Sequence, residues 1–290
     1  MERREFIKTG VAASALLTMP GRLLADDNLN PIPDGKNSTI KEKMKDDAFH
    51  LSMAGFTYVH FDLDTTLAFM KRIDVHYLCI KDFHLPLDST DKEIADFHAK
   101  LKAADVIGYA VGPIYMKSES EVDRAFAYAK RVGVKLIVGV PDVELLGYVD
   151  QKLQKEPDMR LAIHLHGPDM KLYPNAQDIW DHVKDLSPRL GMCLDIGHNL
   201  RYGSDSMKDL KRFKSRVFDI HMKDVTGTKR ENHSVEVGRG IIDFPLFLRT
   251  LRKIGYDGAV SLEYEKDMND PFIGIAESVG YFKAIQYATK

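Results

Sequence analysis

From residue 49 onward, short β-rich apolar runs alternate with segments whose apolar residues recur at i, i+3 and i+4. Runs at 50–58, 75–81, 106–111, 134–140, 160–166, 190–195, 217–223 and 259–264 read as strands. Between them, "LDTTLAFMKRI", "DKEIADFHAKLKAAD", "SEVDRAFAYAKRVG", "VELLGYVDQKLQ", "AQDIWDHVKDL", "SMKDLKRFKS" and "FPLFLRTLRKIG" read as amphipathic helices, and 273–288 makes the last one. Several of these helices open after Ser, Asp or Asn, the residues that cap exposed helix N–H groups. About eight strand–helix units with no hairpin signal predict a parallel sheet closed into an α/β (β/α)8 TIM barrel over residues 48–290. The alternative, an open doubly wound sheet, would need a Gly-rich first turn for a nucleotide, and none is present.

Length and composition agree with one large core. The chain has 290 residues, 44 % of them hydrophobic. A formal net charge of −2 gives no electrostatic footprint for nucleic acid. Cys79 and Cys193 each lie inside an apolar strand-like run and read as buried thiols, not a disulfide. No apolar stretch reaches the roughly 20 residues of a conventional membrane span, so stable membrane insertion is not expected.

The first 25 residues differ from the rest. "MERREFIKTGVAASALLTMPGRLLA" carries Arg3 and Arg4, then Phe6-Ile7-Lys8, a modest apolar run over Val11–Met19, and Ala25 as a cleavage point. It resembles a twin-arginine export signal, which implies the twin-arginine export machinery as a partner and a periplasmic or otherwise exported protein. Glu2 and Leu23 depart from that pattern, and the alternative is a basic tail that stays on the protein. Residues 26–47, polar with Pro31 and Pro33, read as a linker.

A barrel places its active site at the C-terminal strand ends. Four late strands end in chemistry there. Period-two alternation puts Ala162, His164 and His166 on one face of the fifth strand, and Cys193 and Asp195 on one face of the sixth. It does the same for Asp219, His221 and Lys223 in the seventh, and for Ser261, Glu263 and Glu265 in the eighth. A buried, unpaired carboxylate is costly, and a cation would offset that cost. His, Asp, His and Glu on adjacent strand ends suit Mn²⁺, Zn²⁺, Fe²⁺ or Co²⁺ better than Ca²⁺.

The succession "LDIGH", "HMKD", "GRG" and "SLEYE" resembles the sugar phosphate isomerase/epimerase family, in the xylose-isomerase-like TIM-barrel superfamily, over residues 48–290. That superfamily also holds inosose dehydratases and type IV endonucleases. The resemblance implies a divalent metal held by Glu, Asp, His and Glu from strands five to eight. Asp195, His221 and Glu263 match the last three. The first Glu is replaced: "LAIHLHG" puts His164 in that place, with His166 and Asp169 as alternatives. Such epimerases use carboxylates on opposite faces of the sugar. One of the pair is missing here, although neutral imidazole is a competent base.

Other polar positions would face the same mouth. Lys81, His84, His198 and Arg239 are candidate substrate contacts, and the glycines of "VEVGRGIID" would let backbone approach a ligand. Lys223 would stabilise a developing enolate, with Glu263 or His166 as base. His84 reads equally as structural, and Lys81 and Arg239 as solvated charges; for His198 the structural reading is the alternative to a functional one. Glu265 is expected to pair with a basic neighbour, and Glu231 and His233 to lie in a solvated loop.

Together these readings predict a metal-dependent isomerase or epimerase for a small carbohydrate, removing a proton beside a carbonyl and stabilising the enediolate on the metal. A dehydratase or lyase acting on a keto-sugar or inosose is the first alternative. A non-catalytic periplasmic sugar-binding barrel is the second. An endonuclease IV-like phosphodiesterase comes last, because neither ligand count nor charge supports it. Self-association into a homo-oligomer is left open by the sequence.

Overall fold

The computed structural model describes residues 47–290. The expected export signal and nearly all of the expected linker lie outside the described residues. Eight parallel strands close into a barrel. In chain order these are β1 (His50–Ala54), β2 (Tyr77–Ile80), β3 (Ile107–Met116), β4 (Leu136–Pro141), β5 (Arg160–His164), β6 (Leu190–Asp195), β7 (Val217–Met222) and β10 (Ala259–Leu262). Two short strands, β8 (Asp224–Val225) and β9 (Ser234–Val235), form an antiparallel hairpin outside the barrel. The barrel closes where β1 pairs with β10, His50 opposite Ala259.

The surrounding helices are α1 (Leu63–Arg72), α2 (Asp91–Ala103), α3 (Glu119–Val132), α4 (Leu146–Lys155), α5 (Ala176–Val183), α6 (Ile196–Arg201), α7 (Ser206–Arg212), α8 (Phe244–Ile254) and α9 (Phe272–Ala288). Local chemistry sets their ends. Thr90 and Glu93 form a reciprocal capping box at α2, and Asp243 caps α8, which stops at left-handed Gly255. Each helix turns an apolar stripe onto the outer barrel wall. Phe126, Leu153, Ile179, Leu210, Phe247 and Phe282 are all buried there. Burying such a side chain fully contributes roughly 1.5–3 kcal/mol.

The barrel interior is a second, separate core built from small side chains: Cys79, Ala110, Val138, Ala162 and Cys193. Both cysteines are free and buried. Small residues here leave room for polar groups, and Ser52, Asp219, His221 and Ser261 are all fully buried.

Several elements depart from the sequence reading. The first strand stops at Ala54, and Gly55–Tyr58 turn as a 3₁₀ helix. Thr57 holds that turn on β10: its hydroxyl donates to the Leu262 carbonyl and accepts from the Tyr264 N–H. The third strand continues to Met116, past Pro113, which reads as a strand stop because it lacks an N–H. The ladder to β4 accommodates it by a register shift between Val111 and Ile114. The β8–β9 hairpin had no signal, since two-residue strands carry no periodicity to read.

Candidate metal centre

The register brings the four chemical strand ends together. His164 lies opposite Cys193, and Asp195 opposite His221, which lies opposite Ser261. Glu263 follows β10 directly. The donor atoms of His164, Asp195, His221 and Glu263 all fall within 4.8 Å of one another. Ligands about 2.1 Å from one ion lie within roughly 4 Å of each other, so small side-chain adjustments close this set on a cation. His164 Nε2 is 2.9 Å from His221 Nδ1, and Glu263 Oε2 is 3.2 Å from His221 Nδ1.

Asp195 combines two roles. Its Oδ1 accepts the His198 backbone N–H at 2.7 Å and caps α6, a short helix that the sequence reading missed. Its Oδ2 and Glu263 Oε2 are buried and make no hydrogen bond, although the Lys223 ammonium lies within ion-pair distance of both. Two carboxylates and two imidazoles whose donor atoms converge in a buried site are a donor set that fits a divalent cation.

Lys223, 1 % exposed, stands beside this set. Its Nζ is 3.2 Å from Asp195 Oδ2, 3.0 Å from Glu263 Oε2 and 2.8 Å from Glu265 Oε2. It also donates to His198 Nε2 at 2.9 Å. Burial opposes its charge, but Asp195, Glu263 and Glu265 outweigh burial and hold its pKa above the ordinary value. Burial likewise opposes ionisation of Glu263, and Lys223 and His221 outweigh it, leaving that carboxyl well below its usual range. Burial dominates for Asp195, pushed up to about 7, and for His164, lowered to about 3. His164 is therefore the neutral imidazole that a metal requires.

The other expected residues divide. His166 borders the cluster, its ring 4.6 Å from that of His164. Burial first, then Lys223 and His221, lower its pKa to about 4 against the pull of Glu263. Its Nδ1 is buried without a partner, while Nε2 meets the Tyr115 hydroxyl at 2.8 Å. Tyr115, at the end of β3, was missed by the sequence reading because its own strand appeared to end before it. His198 reaches the cluster through Lys223.

Asp169 is not brought in, because Arg201 holds it at 2.6 and 3.2 Å. Lys81 bonds Asp82 and the Pro113 carbonyl, and His84 bonds the Phe61 carbonyl, so neither is tied to the cluster. Arg239 is turned away to pair with Glu277 of α9. The glycines of "GRG" serve a protein carboxylate, not an approaching ligand. Buried Asp224 accepts N–H bonds from Gly238, Gly240, Ile242 and Val225, and a side chain at position 240 would strike it. The sequence pattern "HMKD…GRG" thus encodes a clamp between β8 and the loop after β9. Glu265 pairs with Lys223 as expected, and Glu231 and His233 are exposed.

Residues 51–285 match the family model described as the xylose isomerase-like TIM barrel. The chain belongs to this family. Among relatives of this xylose isomerase-like barrel is an inosose dehydratase of Clostridium perfringens, 27 % identical over 132 residues, covering 40 % of this chain and 43 % of the relative. An L-ribulose-5-phosphate 3-epimerase of Escherichia coli O157:H7 is 24 % identical over 193 residues, 63 % of this chain and 57 % of the relative. The matches thus span less than two thirds of these relatives. Among solved structures, the IolI protein with a bound zinc atom superposes with a TM-score of 0.66 at 17 % identity, covering 82 % of this chain and 98 % of that one. At that identity the likeness shows the fold. No helix among the described residues is long and apolar enough to cross a membrane.

Proposed function

We propose that this protein is a divalent-metal-dependent enzyme that removes a proton beside the carbonyl of a sugar or keto-sugar, with isomerisation or epimerisation as the outcome. One observation carries the reading: the donor atoms of His164, Asp195, His221 and Glu263 converge at four adjacent strand ends, all buried and all within 4.8 Å of one another. A divalent cation held there supplies Lewis-acid polarisation of the substrate oxygens.

The chain's own residues supply the rest. Glu263 is ionised and reaches the cluster from β10, so it takes the proton from one side. His166 is neutral with a bare Nδ1 and serves from the β5 side. The Lys223 ammonium, fixed by three carboxylates, faces the negative charge that develops on the substrate oxygen.

Dehydration of a keto-sugar is the second reading. His164 in the place of the resemblance's first Glu favours it, because it leaves Glu263 as the one carboxylate base of the pair, and dehydration needs only one proton removed beside the carbonyl. The inosose dehydratase relative points the same way. Incubating metal-loaded protein with candidate keto-sugars in D₂O and following them by NMR tests both. Deuterium next to the carbonyl in an intact sugar supports isomerase or epimerase chemistry, and loss of water supports the dehydratase. Absence of exchange with every substrate that binds would leave a sugar-binding barrel.

We also propose export through the twin-arginine route, on the strength of Arg3 and Arg4 before a short apolar run. Replacing both by Lys should retain the protein in the cytoplasm, and unchanged export would refute this.

A further inference from the structure

Directly beneath the metal cluster lies a carboxylate that the cluster does not use. Asp219 is fully buried inside the barrel, two residues before His221 on the same inward face of β7. A buried carboxylate in a barrel core is costly unless something is gained. Its surroundings are built for it. The Tyr109 hydroxyl donates to its two oxygens at 3.2 and 3.0 Å, and the Ile220 N–H donates to Oδ1 at 2.9 Å. Tyr109 is itself placed by Ser261, 2.5 Å away, which in turn meets Ser52 at 2.7 Å. A connected set of buried polar groups therefore runs from Ser52 and Ser261 through Tyr109 to Asp219 inside the barrel.

Two residues beyond Asp219 on β7, the His221 imidazole has a ring nitrogen without a hydrogen bond. His221 turns Nδ1 into the cluster, toward His164 and Glu263. Its Nε2 is buried and makes no hydrogen bond, and it lies 3.9 Å from Asp219 Oδ2; the Cys79 and Cys193 thiols also neighbour the ring, but Asp219 is the acidic group there that is ionised more readily than a buried thiol. Among the described residues, His221 is the basic group within ion-pair reach of Asp219. A histidine that gives Nδ1 to a cation must carry its proton on Nε2, and a carboxylate facing that N–H fixes both tautomer and ring orientation.

We propose that Asp219, held by Tyr109, is the positioning residue that presents His221 Nδ1 to the metal. The inference rests on the reading of the cluster as a metal site and adds to it a residue that touches neither metal nor substrate. Asn at 219 keeps an acceptor for Tyr109 and nearly the same volume, but it removes the negative charge below Nε2. Phe at 109 removes the hydroxyl clamp without altering any candidate ligand.

Metal-free wild type, Asp219→Asn and Tyr109→Phe are titrated with Zn²⁺ and Mn²⁺ by competition against a chromophoric chelator, and the His221 tautomer is read from ¹⁵N NMR. Asp219→Asn should bind about 10–100-fold more weakly, the usual loss when a histidine's carboxylate partner is removed. Tyr109→Phe should lose several-fold. The His221 resonance should report Nε2–H in wild type and mixed tautomers in Asp219→Asn. Wild-type affinity and tautomer in a folded Asp219→Asn protein would overturn the proposal. If that variant does not fold, unchanged affinity in Tyr109→Phe overturns it. A wild type that binds no divalent cation refutes the metal reading instead, and the tautomer measurement then judges the positioning of His221 alone.

Discussion

Asp195 Oδ1 accepts the backbone N–H of His198 at 2.7 Å, and this bond fixes the other oxygen, Oδ2, at the centre of the cluster. One carboxylate both starts α6 and offers a metal donor. This explains why a buried strand ends in Asp. The imidazole of the same His198 then receives a hydrogen bond from Lys223, which ties the helix to the charged cluster.

Asp195→Asn should separate the two roles. Asn is as good a cap as Asp, so stability should change by less than about 1 kcal/mol. The amide is a poor ligand, and divalent-metal affinity should drop by at least tenfold. Thermal denaturation with metal titration checks both. Unchanged affinity would remove Asp195 from the ligand set.

His164→Glu should keep metal binding, because a carboxylate from the same strand position still reaches the cluster. Oxygen in place of nitrogen should shift preference toward Mn²⁺ and Mg²⁺. His164→Ala should weaken binding while His166→Ala leaves it near wild type. The reverse pattern, measured by competitive metal titration, would make His166 the β5 ligand.

The clamp at Asp224 makes a prediction about folding. Four backbone N–H groups converge on this carboxylate. Asp224→Ala should cost roughly 3 kcal/mol or more, since charge-assisted bonds contribute about 1.5–3 kcal/mol each and share one acceptor here. Denaturant unfolding measures it. A loss below about 1 kcal/mol would show that the loop holds itself.

Stability should also depend on pH through Asp47. Its side chain is 5 % exposed and bonds Arg252 at 2.8 and 2.9 Å and Gln286 at 3.0 Å. Burial pushes the carboxyl up, but the bonds from Arg252 and Gln286 outweigh it, and the pKa falls below 3.8. A depressed folded-state pKa stabilises fully above the unfolded value and is lost as pH falls through the folded value. Asp47→Asn should therefore destabilise by about 1–3 kcal/mol at neutral pH, and the difference should shrink below pH 3.8. A constant gap across that range would contradict the assignment.

The barrel was legible from alternation alone, because each helix buries a 3.6-period stripe and each strand end shows which face turns inward. The same period-two count turned His164, His166, Asp195, His221 and Glu263 inward, and the resemblance to the isomerase/epimerase family singled out His164, with His166 and Asp169 as alternatives on the fifth strand. Other features were hidden for physical reasons. Arg239 and Asp169 look like site residues until Glu277 and Arg201, distant in sequence, claim them. The glycines near Arg239 look like a ligand loop, yet they make room for Asp224. Tyr115 was obscured because Pro113 reads as a strand end, while the register shift lets β3 run on. Asp219 was visible as inward-facing, but its relation to His221 Nε2 depends on side-chain geometry.

The most direct test of the central claim is titration of the metal-free protein with Zn²⁺, Mn²⁺ or Co²⁺ by isothermal calorimetry, in parallel with His221→Ala. The account predicts one cation per wild-type chain and loss of most of that affinity in a variant that remains folded. No saturable binding to wild type, or equal binding by His221→Ala, would contradict it.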